Sequence, residues 1–154
     1  PNFSGGNAVA VKNGEGWVGQ GRGFINNKGP GLGMYYDVFD KIGQLRQRLS
    51  FSQIPTATGT YGIRDIFLQE DDSIPQCAFS TISHDGDVLE DVYLVVENEK
   101  ESTVTVSSYD EEQRLLTGEF RVKLYIDPNE IVRNPANPDT IVFEQGVFRV
   151  YIEE

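Results

Sequence analysis

The chain has 154 residues, enough for one domain to bury a sizeable core without disulfide staples. Lys and Arg total 13 against 24 Asp and Glu, a formal net charge of -11, which excludes nucleic acid or anionic lipid as an electrostatic partner. The one cysteine, Cys77, rules out an internal disulfide and a cysteine-based metal cluster, and no apolar run approaches the roughly 18 residues of a membrane-spanning helix.

Residues 1–6 (PNFSGG) have the small, polar composition of a flexible leader, and residues 7–154 are read as the single folded domain. Asn2-Phe3-Ser4 spells a glycosylation sequon, meaningful only in a eukaryotic secretory pathway. With no signal peptide at its start, the sequence reads as a mature or trimmed chain. Residues 7–12 (NAVAVK) predict a short strand that runs into Asn13-Gly14, a dipeptide that supplies the positive φ of a tight hairpin turn, with Trp17 opening the return strand. Gly14, Gly16 and Gly19 also spell G-x-G-x-x-G. A phosphate-binding loop would need a helix here, and Gly19, Gly21 and Gly23 would each cost that helix about 1 kcal/mol. Glycines at every second position instead predict a strand with one bare face, over which a ring or a neighbouring backbone lies, flanked by Trp17 and Phe24.

Residues 26–31 (NNKGPG) read as a loop, and 32–39 resume an apolar, aromatic-rich run. Phe39, Ile42, Leu45 and Leu49 fit one stripe of a helix, whereas Gly43 and the alternation of Leu45, Leu49 and Phe51 fit two strands around a turn at 41–44; the strands are favoured. Pro55 interrupts, and residues 58–63 (TGTYGI) resume a strand. Asp85-Gly86 is a hairpin signal, so residues 79–83 should pair with 88–97 across it. Val92, Leu94 and Val96 alternate with Tyr93 and Val95, so both faces of that strand are partly apolar, as in a central strand.

A second hairpin is expected between residues 103–110 (TVTVSSYD) and 115–126 (LLTGEFRVKLYI). Its period of two buries Phe120, Val122 and Leu124 and leaves Arg121 and Lys123 outside. The spacing of Gly118, Phe120, Arg121 and Val122 returns in Gly146, Phe148, Arg149 and Val150, which predicts two strands entering one core in the same way. A loop at 127–139 with three prolines separates them. About ten short strands with turn chemistry between them predict an all-β domain, an antiparallel β-sandwich with a closed β-barrel as the alternative.

Chemistry-bearing motifs are sparse. There is no G-x-S-x-G and no H-E-x-x-H, and His84 lies in a polar turn as a solvated surface histidine. The clusters Glu70-Asp71-Asp72 and Asp85, Asp87, Glu90, Asp91 carry oxygen ligands suited to Ca²⁺ but not the spacing of a calcium loop, so charged loops are the favoured reading. No catalytic, cofactor-binding or metal residue is expected. Trp17, Tyr35, Tyr36, Tyr93, Tyr109 and Tyr125 are candidates for a sugar or peptide platform; most should be core, with Tyr125 placed for exposure by its phase against Leu124 and Ile126.

Asn13-Gly14 with Trp17, Gly59-Thr60-Tyr61, Ser108-Tyr109-Asp110 leading to Thr117-Gly118-Glu119-Phe120, and Gly146-Val147-Phe148 together resemble small lipoproteins of unknown function from Bacteroidota, over most of the chain. The resemblance implies an extracytoplasmic β-domain behind a lipid-modified cysteine, an anchor outside this sequence for which Cys77 cannot stand in. It brings no catalytic residues. The functional expectation is a non-catalytic binding or structural domain of the cell envelope with a glycan, peptide or envelope protein as partner. The alternative is a small β-barrel carrying an apolar ligand.

Overall fold

The structure, a computed structural model, describes residues 3–26, 31–65, 74–96 and 102–153. Among them the regular elements are strands: β1 (Gly6–Lys12), β2 (Glu15–Ile25), β3 (Leu32–Phe39), β4 (Leu45–Ile54), β5 (Gly59–Gly62), β6 (Arg64–Asp65), β7 (Gln76–Ile82), β8 (Leu89–Val95), β9 (Thr103–Asp110), β10 (Leu115–Ile126) and β11 (Thr140–Glu153). The all-β expectation holds, and the strands belong to one mixed sheet. Antiparallel ladders lead from β1 through β2, β3, β4, β7, β8, β10 and β11 back to β1, so the hydrogen bonding runs in a ring. Two short parallel pairings, β11 with β2 and β6 with β7, make the sheet mixed. The length of β10 lets it serve three neighbours. One edge pairs with β11 throughout, while the other is divided between β9 at Leu115–Arg121 and β8 at Leu124–Ile126.

The local signals for hairpins act as expected. Asn13 and Gly14 have φ of 48° and 83°, the two left-handed residues of a tight turn between β1 and β2. The Asn13 side chain adds a function of its own: its amide donates to the Thr140 carbonyl and its Oδ1 accepts the Val142 amide at 2.7 Å, which ties the turn to the start of β11. Asp85-Gly86 turns β7 into β8, and residues 41–44 turn β3 into β4. Gly6 is already the first residue of β1 and the Gly5 carbonyl accepts the Tyr151 amide at 2.9 Å, so the end of the leader is stitched to the sheet.

Phe120, Val122 and Leu124 are buried and Arg121 is exposed, with Lys123 half-buried. The interior is filled by rings. Phe143 lies 5.1 Å from Trp17, 5.5 Å from Phe79 and 6.2 Å from Phe120, and Phe120 continues the cluster to Phe51 and Phe148. The bare face of β2 is what accommodates the next ring. A Cβ on Gly19 would come within 2.8 Å of both Trp17 and Tyr36, and one on Gly21 within 2.6 Å of Tyr36. Phe24, expected to flank that face, does not: it is one residue out of phase with Gly19, Gly21 and Gly23, so it stands on the opposite face, with its ring over Gly33.

The repeated G-x-F-R-V segments are partners as well as parallels. They pair antiparallel with each other, Gly118 opposite Phe148 and Phe120 opposite Gly146, so each phenylalanine ring lies over the other segment's glycine. Cys77 is fully buried in the same core, and burial pushes its thiol well above the usual range.

Candidate functional site

The chemistry-bearing residues singled out from sequence are mostly structural. Trp17, Tyr36 and Tyr93 are core, while Tyr35, Tyr109 and Tyr125 are half-buried, so the six form no common exposed platform. The face of Tyr35 is taken by the Arg48 guanidinium 4.1 Å from its centroid, and Arg48 in turn makes a two-point bond of 2.7 Å per contact with Asp37. His84 is exposed on the β7–β8 turn, where its carbonyl, with that of Ser83, accepts the Arg46 guanidinium. Asp85 and Asp87 sit side by side on that turn. The Ser83 hydroxyl and then Asp87 hold Asp85 below the usual carboxylate range, and Asp85 pushes Asp87 above it. Glu70-Asp71-Asp72 lies outside the described residues. Among the described residues no three His, Cys, Asp or Glu side chains converge on a metal position.

Asp91, read as a possible cation ligand, has both oxygens occupied by N–H donors. Oδ1 accepts the Arg133 amide at 2.8 Å, and Oδ2 accepts the Asn134 amide at 3.1 Å and the Asn137 side-chain amide at 2.8 Å. It is the hub that docks residues 127–139 onto β8. Around it the Arg133 guanidinium donates to the Leu89 carbonyl, the Asn137 amide reaches Thr81, and the Tyr93 hydroxyl donates to the Pro138 carbonyl. The neck of the loop is closed by the Ile126 amide on Asp139 and the Asp127 amide on Val92. Asp127 and Asn134 each cap a local turn, at Asn129 and Ala136, as short polar side chains before proline-rich turns do. A long loop closed at its neck and held by its own side chains is the kind of rigid surface element that carries recognition.

Burial raises the Asp91 carboxyl, but the Arg133 amide, the Asn137 side chain, the Asn134 amide and the Arg133 charge outweigh it and hold the group below the usual range. A depressed carboxylate contributes stability that is complete above its unfolded value, about 3.9, and is lost as the pH falls through the folded value. Burial also pushes the Tyr93 phenol up to about 12, helped by the charges of Asp91, Asp139 and Glu90. Asp91→Ala should therefore release the loop at a cost of about 2 kcal/mol, since the lost bonds are to a charged acceptor. Hydrogen exchange at the Arg133 and Asn134 amides should accelerate while that of β10 and β11 stays slow; unchanged exchange at both amides would remove Asp91 from this role.

The docked loop leaves an open cleft of about 340 Å³ lined by residues 89–92, 126–127 and 130–133. Its origin is topological: β8 and β10 pair only over Tyr93–Val95, and beyond Ile126 the chain of β10 leaves the sheet while β8 continues back to Leu89. The lining combines apolar side chains in solvent with carboxylates. Ile131 is 86% exposed, Leu89 54% and Val132 44%. Glu90, Asp127 and Glu130 lie among them. No family model, curated protein or solved structure matches the chain. The site is therefore read on its own chemistry. The sequence assigns Leu89 only to a strand and gives Ile131 and Val132 no binding role; the available signals are an apolar Ile131-Val132 pair inside a proline-rich loop and a carboxylate, Asp91, in phase with the core residues Tyr93 and Val95.

Proposed function

We propose that this is a non-catalytic binding domain of the bacterial cell envelope, held outside the cytoplasm, that recognises its partner at the cleft between β8 and the 127–139 loop. The observation that carries the reading is the pairing of a firmly anchored loop with side chains that gain nothing from their position in the free protein. A loop tied down by Asp91 and Tyr93 presents Ile131 almost wholly to water, next to the exposed Leu89 and Val132. Contiguous apolar surface of this kind on a rigid support favours contact with another molecule. The acidic charge and the resemblance to envelope lipoproteins support the compartment. The alternative of an apolar ligand inside the ring is disfavoured by the aromatic side chains that fill it.

The test is a thermal-shift screen of soluble glycans, peptidoglycan fragments, peptides and fatty acids, run on the native protein and on Ile131→Asp beside generic hydrolase substrates. A ligand at 100 times its Kd adds about 2.7 kcal/mol, which raises Tm by about 5 °C or more in a chain of this size. The expected result is a shift that Ile131→Asp abolishes. Turnover lost on mutating one acidic pair would overturn the reading, and fatty-acid stabilisation indifferent to Ile131→Asp would move it to the interior.

A further inference from the structure

We infer that the occupant of this cleft is a peptide segment that presents a lysine or arginine beside an aliphatic side chain, an inference that rests on the cleft being the binding site. Charge complementarity on an apolar floor selects this occupant. Glu90, Asp91, Asp127 and Glu130 line the cleft, against one lining cation among the described residues, Arg133, whose guanidinium donates to the Leu89 carbonyl. The carboxylates are not equally engaged. Asp91 is consumed by three N–H donors and Glu90 accepts from Thr81 at 3.0 Å, whereas Glu130 is exposed and its side chain makes no hydrogen bond or ion pair among the described residues. An anionic ligand would meet net repulsion here, four lining carboxylates against one guanidinium, in a protein whose net charge is -11. A neutral ligand would leave the Glu130 carboxylate partly desolvated without a partner. A basic side chain pairs with it, and the neighbouring Ile131 and Leu89 receive the aliphatic group whose burial supplies the non-polar part of the affinity.

The experiment is fluorescence anisotropy on the full chain with three short labelled peptides, alternating leucine with lysine, leucine with glutamate, and serine with lysine. The leucine-lysine peptide should bind, and each of the others should bind about tenfold or more weakly, a difference of about 1.4 kcal/mol. Glu130→Gln and Ile131→Ser, both at exposed positions that leave the fold intact, should each weaken it several-fold, and raising the salt should weaken the native protein more than Glu130→Gln. Equal binding of the serine-lysine peptide, no binding of the leucine-lysine peptide, or affinity indifferent to both substitutions would overturn the inference. In any of those cases a glycan whose thermal shift is lost in Ile131→Asp leaves the binding site standing with a different ligand. If no ligand responds to either substitution at Ile131, both readings fall.

Discussion

Phe143→Ala should lower the unfolding free energy by about 3–5 kcal/mol, a large share of the roughly 5–15 kcal/mol that holds a typical domain together. Phe143 is wholly buried and stands at the centre of the ring cluster, in edge contact with Trp17 and Phe79 and tilted against Phe120. Those partners come from β2, β7 and β10, strands placed around the ring of the sheet, so no single one can move in to close the space an alanine leaves. Denaturant titration should show the midpoint falling with little change in slope, and Phe143→Leu should recover about half the loss because it refills most of the volume. A loss under about 1 kcal/mol for the alanine variant would mean that the interior is not packed on this residue.

Phe143 also shows why part of the fold was legible from sequence and part was not. The period of two places Phe120, Val122 and Leu124 inside because β10 keeps its own alternation there, although its pairing with β11 shifts register between Phe120 and Val122. The same rule fails across Phe143 and Phe148, which are five residues apart and so belong on opposite faces of a regular strand. Both are buried. The register shifts between Phe143 and Gly146, where Gln145 takes a φ of 53°, and this bulge returns Phe148 to the inner face. Nothing in the alternation announces a bulge. Turn chemistry, by contrast, is local, so Asn13-Gly14 and Asp85-Gly86 could be read directly.

Closure of the ring and the candidate cleft share a reason for being hidden: both depend on contacts distant in the chain. β1 meets β11 across more than a hundred residues, and Asp91 meets its donors some forty residues away. By charge alone Asp91 reads as part of a solvated acidic loop. Its phase with Tyr93 and Val95 was the better clue, since a carboxylate on an inward position must be satisfied by something, and here it is satisfied by backbone and side-chain amides of the 127–139 loop. The cleft then follows from that docking rather than from any motif.

The largest single effect is expected at Gly118, where the two G-x-F segments cross. Its φ is not in the left-handed region, so the requirement for glycine is one of space rather than backbone freedom. A Cβ there would fall on the Thr105 carbonyl oxygen of β9 and come within 2.7 Å of the Phe148 ring. Gly146 is the mirror case with a different obstacle, because the three atoms nearest to its Cβ all belong to the ring of Phe120, the first at 2.6 Å. A ring can be exchanged, but a backbone carbonyl in a ladder cannot move without breaking its strand's register. Gly118→Ala should therefore cost about 3 kcal/mol or more, and Gly118→Val should prevent folding. The double variant Gly146→Ala with Phe120→Leu should be more stable than the sum of its single changes predicts, whereas Gly118→Ala with Phe148→Leu should show little such coupling because the Thr105 oxygen still stands in the way. Chemical denaturation of the four single and two double variants measures both couplings. Native-like stability of Gly118→Ala would show that β9 does not lie against β10 in this register.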